Sequence, residues 1–433
     1  MKVAKFGGSS VANVTQLKKV KQITLNDIER NIIVVSAPGK DEEHPTKITD
    51  LLFLLHAHIE YGVDYNFILN SIYERYMLLV EGLSLSGNFK KHFELFKNDL
   101  TKGIGKDYIV SRGEYFSALI ISEYLGYRFI DALDVISMKY DGTIDYNKTE
   151  KNLSSILNQY PNIVVPGYYA STPDNQVRLF GRGGSDLTGS ILARTAKANL
   201  YENWTDVSGI YVADPRIISN PKRISTITFS ELRELSFRGA RVLQQESVIP
   251  LEQIGIPIHI KNTNDPTSDG TLICNDVKNS NGIITGISGL RDFTSLNISK
   301  DSDTQLTTAL RDVFNLFTRH KININHIPTG IDTFSIITQT DELKSVYFDF
   351  INDLRSIDGV ISIEEEDSIS LIAIVGRNMA YTPGVAGRIF STLGNKGINI
   401  KVIAQASKEI SIIIGVKNED YEAAILSIYN EFY

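Results

Sequence analysis

One cysteine in 433 residues leaves Cys274 without an intrachain disulfide partner, so packing alone must hold the fold. A lone thiol suits a reducing compartment, and Cys274 reads as a small, partly buried side chain rather than a nucleophile. No stretch approaches the roughly 18–20 consecutive apolar residues of a membrane span. The opening, Met1-Lys2-Val3-Ala4-Lys5-Phe6, meets Gly7-Gly8 before it reaches the ~7–15 apolar residues of a secretory leader. A cytoplasmic protein that does not touch the membrane is expected. A basic excess is missing too: 44 Lys and Arg against 51 Asp and Glu leave a net charge of -7, which argues against nucleic acid as a partner. Disorder has no compositional footing, since 42% of residues are hydrophobic and 22% charged, with 31 Gly and 12 Pro. At ~150 residues per domain the length corresponds to about three domains, enough to bury sizeable cores.

What is present is an alternation of strands and helices. Val3, Ala4 and Phe6, a Gly-Gly-Ser-Ser turn, and then Val11, Val14, Leu17, Val20 and Ile23 predict strand, tight turn and helix. Residues 32–35 form a continuous β-branched run closed by Ser36-Ala37-Pro38-Gly39, the pattern of a buried parallel strand and its loop. Helical spacing covers 49–59 and 65–100, Ile163-Val164-Val165 stops at Pro166-Gly167, and 185–198 starts another helix after Gly181-Arg182-Gly183-Gly184. The expected fold class is α/β, a three-layer domain with a mostly parallel sheet. Past about residue 290 the elements shorten and an internal repeat appears. Val313-Phe314, Ile322-Asn323-Ile324, Ile327 and Phe334-Ser335-Ile336-Ile337 recur as Ile389-Phe390, Ile398-Asn399-Ile400, Ile403 and Ile410-Ser411-Ile412-Ile413, at a constant offset (322 to 398, 335 to 411). Two copies of one α+β unit are implied, with a hinge expected at 275–281.

Four constellations carry possible chemistry. Lys5-Phe6-Gly7-Gly8-Ser9-Ser10 lies where a strand gives way to a helix, a place that suits phosphate, although a ligand-free Gly-Gly turn has the same pattern. Gly181-Arg182-Gly183-Gly184-Ser185-Asp186 sets a guanidinium and a carboxylate beside a second such turn; Arg182 suits a substrate carboxylate, and Asp186 is either a functional group or simply an N-cap or first-turn carboxylate. Two Gly-rich turns opening helices in one domain suggest a shared polyanion and phosphoryl transfer without a covalent intermediate. Ser111-Arg112-Gly113-Glu114 precedes an apolar run and reads as a helix entry, where Glu114 either complements the dipole or grips an ammonium. Thr205-Asp206-Val207-Ser208-Gly209-Ile210-Tyr211 with Asp214-Pro215-Arg216 is either an ordered turn or a nucleotide pocket, Tyr211 against the base and Arg216 on phosphates.

At these residues the sequence resembles the aspartokinases of the amino-acid kinase superfamily. The resemblance rests on Lys-Phe-Gly-Gly-Ser-Ser-Val at 5–11, Ser-Arg-Gly-Glu at 111–114, Gly-Arg-Gly-Gly-Ser-Asp at 181–186 and Thr-Asp-Val-Ser-Gly-Ile-Tyr at 205–211, in family order. It implies Lys5, Gly7, Gly8 and Ser9 on the phosphates, with Thr49, Glu114, Arg182 and Ser185 holding L-aspartate. Glu114 takes the α-ammonium and Arg182 the α-carboxylate. Asp186 then organises the catalytic Lys5 and the Mg2+ environment, while Thr205, Asp206, Tyr211, Arg216 and Arg241 line the ATP pocket. The implied reaction phosphorylates the aspartate β-carboxylate, the first step towards lysine, threonine and methionine.

The repeat is similar to tandem ACT modules, βαββαβ units that bind amino acids. The implied division is a catalytic domain at 1–285, a first ACT module at 286–366 and a second at 367–433. Because family members often insert the first module within the second, the strand near Ile283 to Ile287 is expected to belong to the later one. Lysine is the first expected effector and threonine the second, with Leu310, Asn323, Ile324 and Asn325 as contacts. Homodimers or dimers of dimers are implied by resemblance. The chain departs from the family at Val242-Leu243-Gln244-Gln245, usually Val-Leu-His-Pro, at Arg241, often lysine, and at Asn325, an aspartate in lysine-sensitive relatives. A silent amino-acid sensor and a related kinase for another carboxylate are the alternatives.

Overall fold

The computed structural model describes residues 1–237, 239, 243–277, 282–405 and 410–433. The chain folds as two compact units whose segments interleave: Met1–Ile210, Arg223–Phe229 and Arg241–Lys278 in the first, Tyr211–Lys222, Ser230–Ala240 and Asn279–Tyr433 in the second. Two segments ahead of residue 285 therefore pack with the C-terminal unit. Of the expected hinge at 275–281, residues 278–281 lie outside the described residues.

The first unit is built on β1 (Lys2–Phe6), β2 (Arg30–Val35), β3 (Arg128–Phe129), β4 (Ile163–Pro166), β7 (Leu200–Thr205), β8 (Thr226–Thr228), β9 (Ile258–Asn262) and β10 (Thr271–Cys274). Their order is β3-β4-β2-β1-β7-β9-β10-β8. All neighbours run parallel except β9 and β10. Ile32, Ile33, Val34 and Val35 are fully buried, as a strand covered on both faces requires. The hairpin of β5 (Tyr169–Ser171) and β6 (Val177–Leu179) stands apart, and nothing in the short polar stretch between its strands signalled it.

Helices flank this sheet. Val14–Leu25 is capped by Asn13, whose Oδ1 accepts the Gln16 N–H at 3.0 Å. The helical region predicted over 65–100 is two helices, Asn66–Gly82 and Asn88–Leu100, because Ser84 and Gly87 take positive φ between them. Phe89, Phe93, Phe96 and Phe116 are each at most 1% exposed and meet at ring-centroid distances of 5.3–5.8 Å, joining these helices to Lys106–Leu125.

The second unit carries an antiparallel sheet of β11 (Gly286–Lys300), β12 (Thr333–Gln339), β13 (Val360–Val375), β14 (Val402–Gln405) and β15 (Ser411–Lys417), ordered β12-β11-β13-β15-β14. Each repeat supplies a helix and then strand pairing: Leu306–His320 with β12, and Val385–Asn395 with β14 and β15. The long strands β11 and β13 serve both repeats. Gly286 to Leu290 pair with Val375 to Leu371, while Phe293 to Ser299 pair with β12 and with Ile369 to Ser362 of β13. That is the pairing that insertion of the first repeat into the second requires. One core gathers Val313, Phe317 and Phe350 in the first repeat, and another gathers Ile389, Leu393 and Ile425 in the second.

Candidate active site

Every loop that leaves the carboxyl end of β1, β2, β4 and β7 reaches one cavity of about 550 Å³ in the first unit. Open parallel sheets place ligands at that end. From the residues selected in sequence, Lys5, Gly7, Gly8, Ser9, Thr49, Glu114, Ser185, Asp186, Thr205 and Asp206 all line it.

β1 delivers Lys5, which pairs in register with Val34 of β2 and Asn203 of β7. Lys5 is 7% exposed, and a buried ammonium needs a counter-charge. Its Nζ lies 2.6 Å from Oδ1 of Asp186. Asn203 Nδ2 donates to the same oxygen at 2.8 Å, so strand register and one carboxylate fix where the lysine points. Asp186 stands in the first turn of the helix Gly184–Thr195, where the dipole favours a negative charge. It is not the cap: that position is Gly183, whose φ of 76° is left-handed and admits a side chain only with strain.

The Gly-Gly turn after β1 and the Ser36-Ala37-Pro38-Gly39 loop after β2 approach backbone to backbone. Gly39 donates its N–H to the Gly8 carbonyl at 2.8 Å, and a Cβ on Gly39 would stand 2.7 Å from the Gly8 carbonyl carbon. Gly167 presses on Ser185 in the same way. Tyr168, another lining residue, holds a positive φ of 79° and donates its N–H to Thr188 Oγ1 at 3.0 Å.

Glu114 corrects one expectation. Its helix starts at Lys106, not at Ser111, so the carboxyl group sits about two turns inside and the dipole role is absent. The apolar pair Ile109-Val110 extends the helix towards its start, and the Ser-Arg-Gly-Glu stretch is buried in the middle. Glu114 Oε1 accepts the Ala37 N–H at 3.1 Å, while Oε2 is buried with no partner. Burial pushes its pKa up to about 8, against the opposing pull of the Ala37 N–H and Lys5.

The remaining selected residues fall elsewhere. Arg182 is exposed and lies outside the lining. Tyr211 and Arg216 belong to the second unit, where Arg216 forms a forked pair with Asp214, NH2 to Oδ2 at 2.6 Å. Arg241 and Val242 lie outside the described residues. Leu310 and Ile324 pack against the core of the first repeat, and Asn323 gives its N–H and its Nδ2 to Glu342 at 2.7 and 3.0 Å. Asn325 donates its N–H to Ile337, and its Oδ1 is buried without a partner.

Sequence reasoning passed over Lys40, Lys47, Tyr168 and Asn203. Asn203 was recoverable in principle, since it neighbours Lys5 once β1 and β7 are paired. The two lysines carry no sequence signal beyond a polar loop after a buried strand.

Comparison with known proteins identifies relatives over the whole chain. The amino acid kinase family matches residues 1–262, and an ACT domain matches 372–432. Aspartokinase 3 of Bacillus subtilis is 33% identical over 453 aligned residues, covering 100% of this chain and 99% of the relative. The crystal structure of Clostridium acetobutylicum aspartate kinase superposes with a TM-score of 0.93 at 40% identity, over 100% of this chain and 99% of that one. E. coli aspartokinase III is similar at 25% identity, again over 100% and 99%, with a TM-score of 0.77 in its complex with aspartate and ADP (R-state) and 0.78 in its complex with lysine and aspartate (T-state).

Proposed function

The chain belongs to the aspartokinases of the amino acid kinase family, and from that premise we propose how the cavity around Lys5 moves the γ-phosphoryl group of ATP onto the β-carboxylate of L-aspartate. The observation that carries this reading is the Lys5–Asp186 contact of 2.6 Å, made where both Gly-rich turns and Glu114 share one cavity.

The nucleophile is the substrate. An aspartate side chain has a pKa near 3.9, so it is ionised at neutral pH and needs no base from the protein. One of its oxygens forms a bond to the γ-phosphorus as the bond to the β–γ bridging oxygen breaks, and ADP leaves with the electron pair. The protein supplies alignment and charge. Lys5, held by Asp186, which Asn203 holds in turn, stands over the transferring group, and Gly7, Gly8 and Ser9 line the same wall. The open Oε2 of Glu114 receives the α-ammonium, and Thr49 and Ser185 complete the aspartate subsite. Arg182, exposed here, is the residue assigned to the α-carboxylate by family resemblance, and Tyr211, Arg216 and Arg241 are assigned to the nucleotide on the same ground.

The residues suit a Mg2+ that arrives with the nucleotide. Among the described residues no cluster of three acidic or His side chains forms a cage, while Asp186 and Asp206 line the cavity as two carboxylates, the few that Mg2+ uses alongside phosphate oxygens. Bound there, the ion neutralises phosphate charge.

Regulation acts through the ACT modules. Lysine is the proposed effector, with threonine second, and the buried open oxygen of Asn325 is the acceptor that supports an ammonium ligand there. A cytoplasmic enzyme that pairs with a second copy completes the reading. The deciding assay is ADP release from MgATP with aspartate, glutamate or acetylglutamate, each with and without lysine or threonine. Aspartate-dependent turnover that Lys5→Met lowers by about 10²–10³ supports the assignment. Turnover with none of the acceptors would favour the sensor instead.

A further inference from the structure

Arg75 belongs to the helix Asn66–Gly82 and is 4% exposed, yet among the described residues it forms no salt bridge; the Asp41 carboxylate acts on it only from farther away, and burial outweighs that attraction. Its NH1 donates to the Thr46 carbonyl and its NH2 to the Gly39 carbonyl, while Nε is buried without a partner. Burying a guanidinium on neutral acceptors is costly, so the position calls for a reason.

The identity of the two carbonyls supplies it. Each belongs to a peptide plane that leads into a lysine: Gly39 into Lys40 and Thr46 into Lys47. Because the peptide unit is rigid, fixing the oxygen of one residue fixes the nitrogen of the next. Lys40 and Lys47 both line the cavity and both are exposed, and Lys47 is also the N-cap residue of the helix Ile48–Glu60, its carbonyl accepting the Leu51 N–H at 3.1 Å. Between them the chain closes a turn in which Asp41 Oδ1 accepts the N–H groups of Glu43 and His44 at 3.1 and 2.7 Å. The Gly39 unit is held from the other side as well, by its N–H on Gly8. A single fork therefore spans both ends of the turn and ties it to the phosphate loop.

We propose that Arg75 is a positioning residue for phosphoryl transfer: its guanidinium sets the two peptide planes that present Lys40 and Lys47, so that both ammonium groups stand at the cavity mouth where the triphosphate enters. The proposal rests on the kinase reading of the cavity. Lysine at position 75 keeps the charge and loses the planar fork, so it reproduces only part of the effect.

The test uses the full chain as wild type, Arg75→Gln, Arg75→Lys, the Lys40→Gln/Lys47→Gln double variant, and that double variant with each Arg75 change added. ADP formation is measured with aspartate saturating and MgATP varied. Arg75→Gln should raise KM for MgATP about tenfold or more, the loss expected when hydrogen bonds from a charged donor are removed. Arg75→Lys should fall between it and wild type. On the double-variant background, Arg75→Gln should add less than about twofold, because the groups it acts through are gone. A penalty as large on that background as on wild type overturns the proposal, and so does an unchanged KM. If Arg75→Gln does not fold, Arg75→Lys on the two backgrounds decides by the same coupling. Wild type without aspartate-dependent turnover would count against the kinase reading, and direct titration of ATP across the same proteins would then judge Arg75 separately.

Discussion

Glu114 is a buried carboxyl group on the cavity wall, and in the proposed mechanism its Oε2 receives the ammonium of aspartate. With a pKa of about 8 in the empty site, it is protonated below that pH and must give up a proton to receive an ammonium. Aspartate binding therefore releases a proton at pH 7, and kcat/KM for aspartate should rise up to tenfold per unit as pH climbs towards about 8, then level off. Glu114→Gln should abolish both the slope and most of the affinity. Stability runs the opposite way. The folded pKa lies above the unfolded value near 4.5, so the folded state holds the extra proton, and stability falls as pH rises from about 4.5 to about 8. Thermal unfolding of the ligand-free protein across that window should show the decline in wild type and a flatter curve in Glu114→Gln. At this scale the sequence was informative about Lys5, Asp186 and Glu114, because each stands in a Gly-rich turn or just ahead of an apolar run, and both are local signals. It was silent on Lys40 and Lys47, because an exposed lysine in a loop looks the same whether or not a cavity lies beneath it.

At the level of elements, the working parts are loops pressed together by small residues. The Gly8–Gly39 contact leaves no room for a methyl group, and the atoms in the way are backbone, which cannot swing aside. Gly39→Ala should destabilise the protein by about 1–3 kcal/mol and cut turnover, whereas Gly105→Ala, with nothing within 4 Å of the added carbon, should change either by little. Differential scanning together with the ADP assay separates the two. The strand-turn-helix units around β1, β2 and Gly184–Thr195 were legible because apolar runs and Gly-rich turns are local signals. The start of Lys106–Leu125 was misplaced because its first turn is polar and half-exposed, and only packing against the aromatic cluster commits it to helix. The β9–β10 pair runs antiparallel against the trend of the sheet, a matter of long-range pairing that periodicity does not encode.

On the scale of the whole molecule, the constant offset of the repeat carried over into two matched helix-and-strand sets, Leu306–His320 with β12 and Val385–Asn395 with β15. The interleaving of the compact units escaped the sequence, since Tyr211–Lys222 and Ser230–Ala240 look no different from their neighbours until the sheet exists to receive them. If lysine is the effector, it should raise the midpoint of thermal unfolding of the full chain, with a stabilisation of about 2.7 kcal/mol at a hundredfold excess over Kd. Asn325→Ala should erase that shift, and a shift with threonine alone would reassign the site.

Because β11 and β13 each run through both repeats, any cut that separates the repeats passes through the middle of two strands. The second repeat, whose strands lie on both sides of the first along the chain, has no continuous segment of its own, whereas the first does.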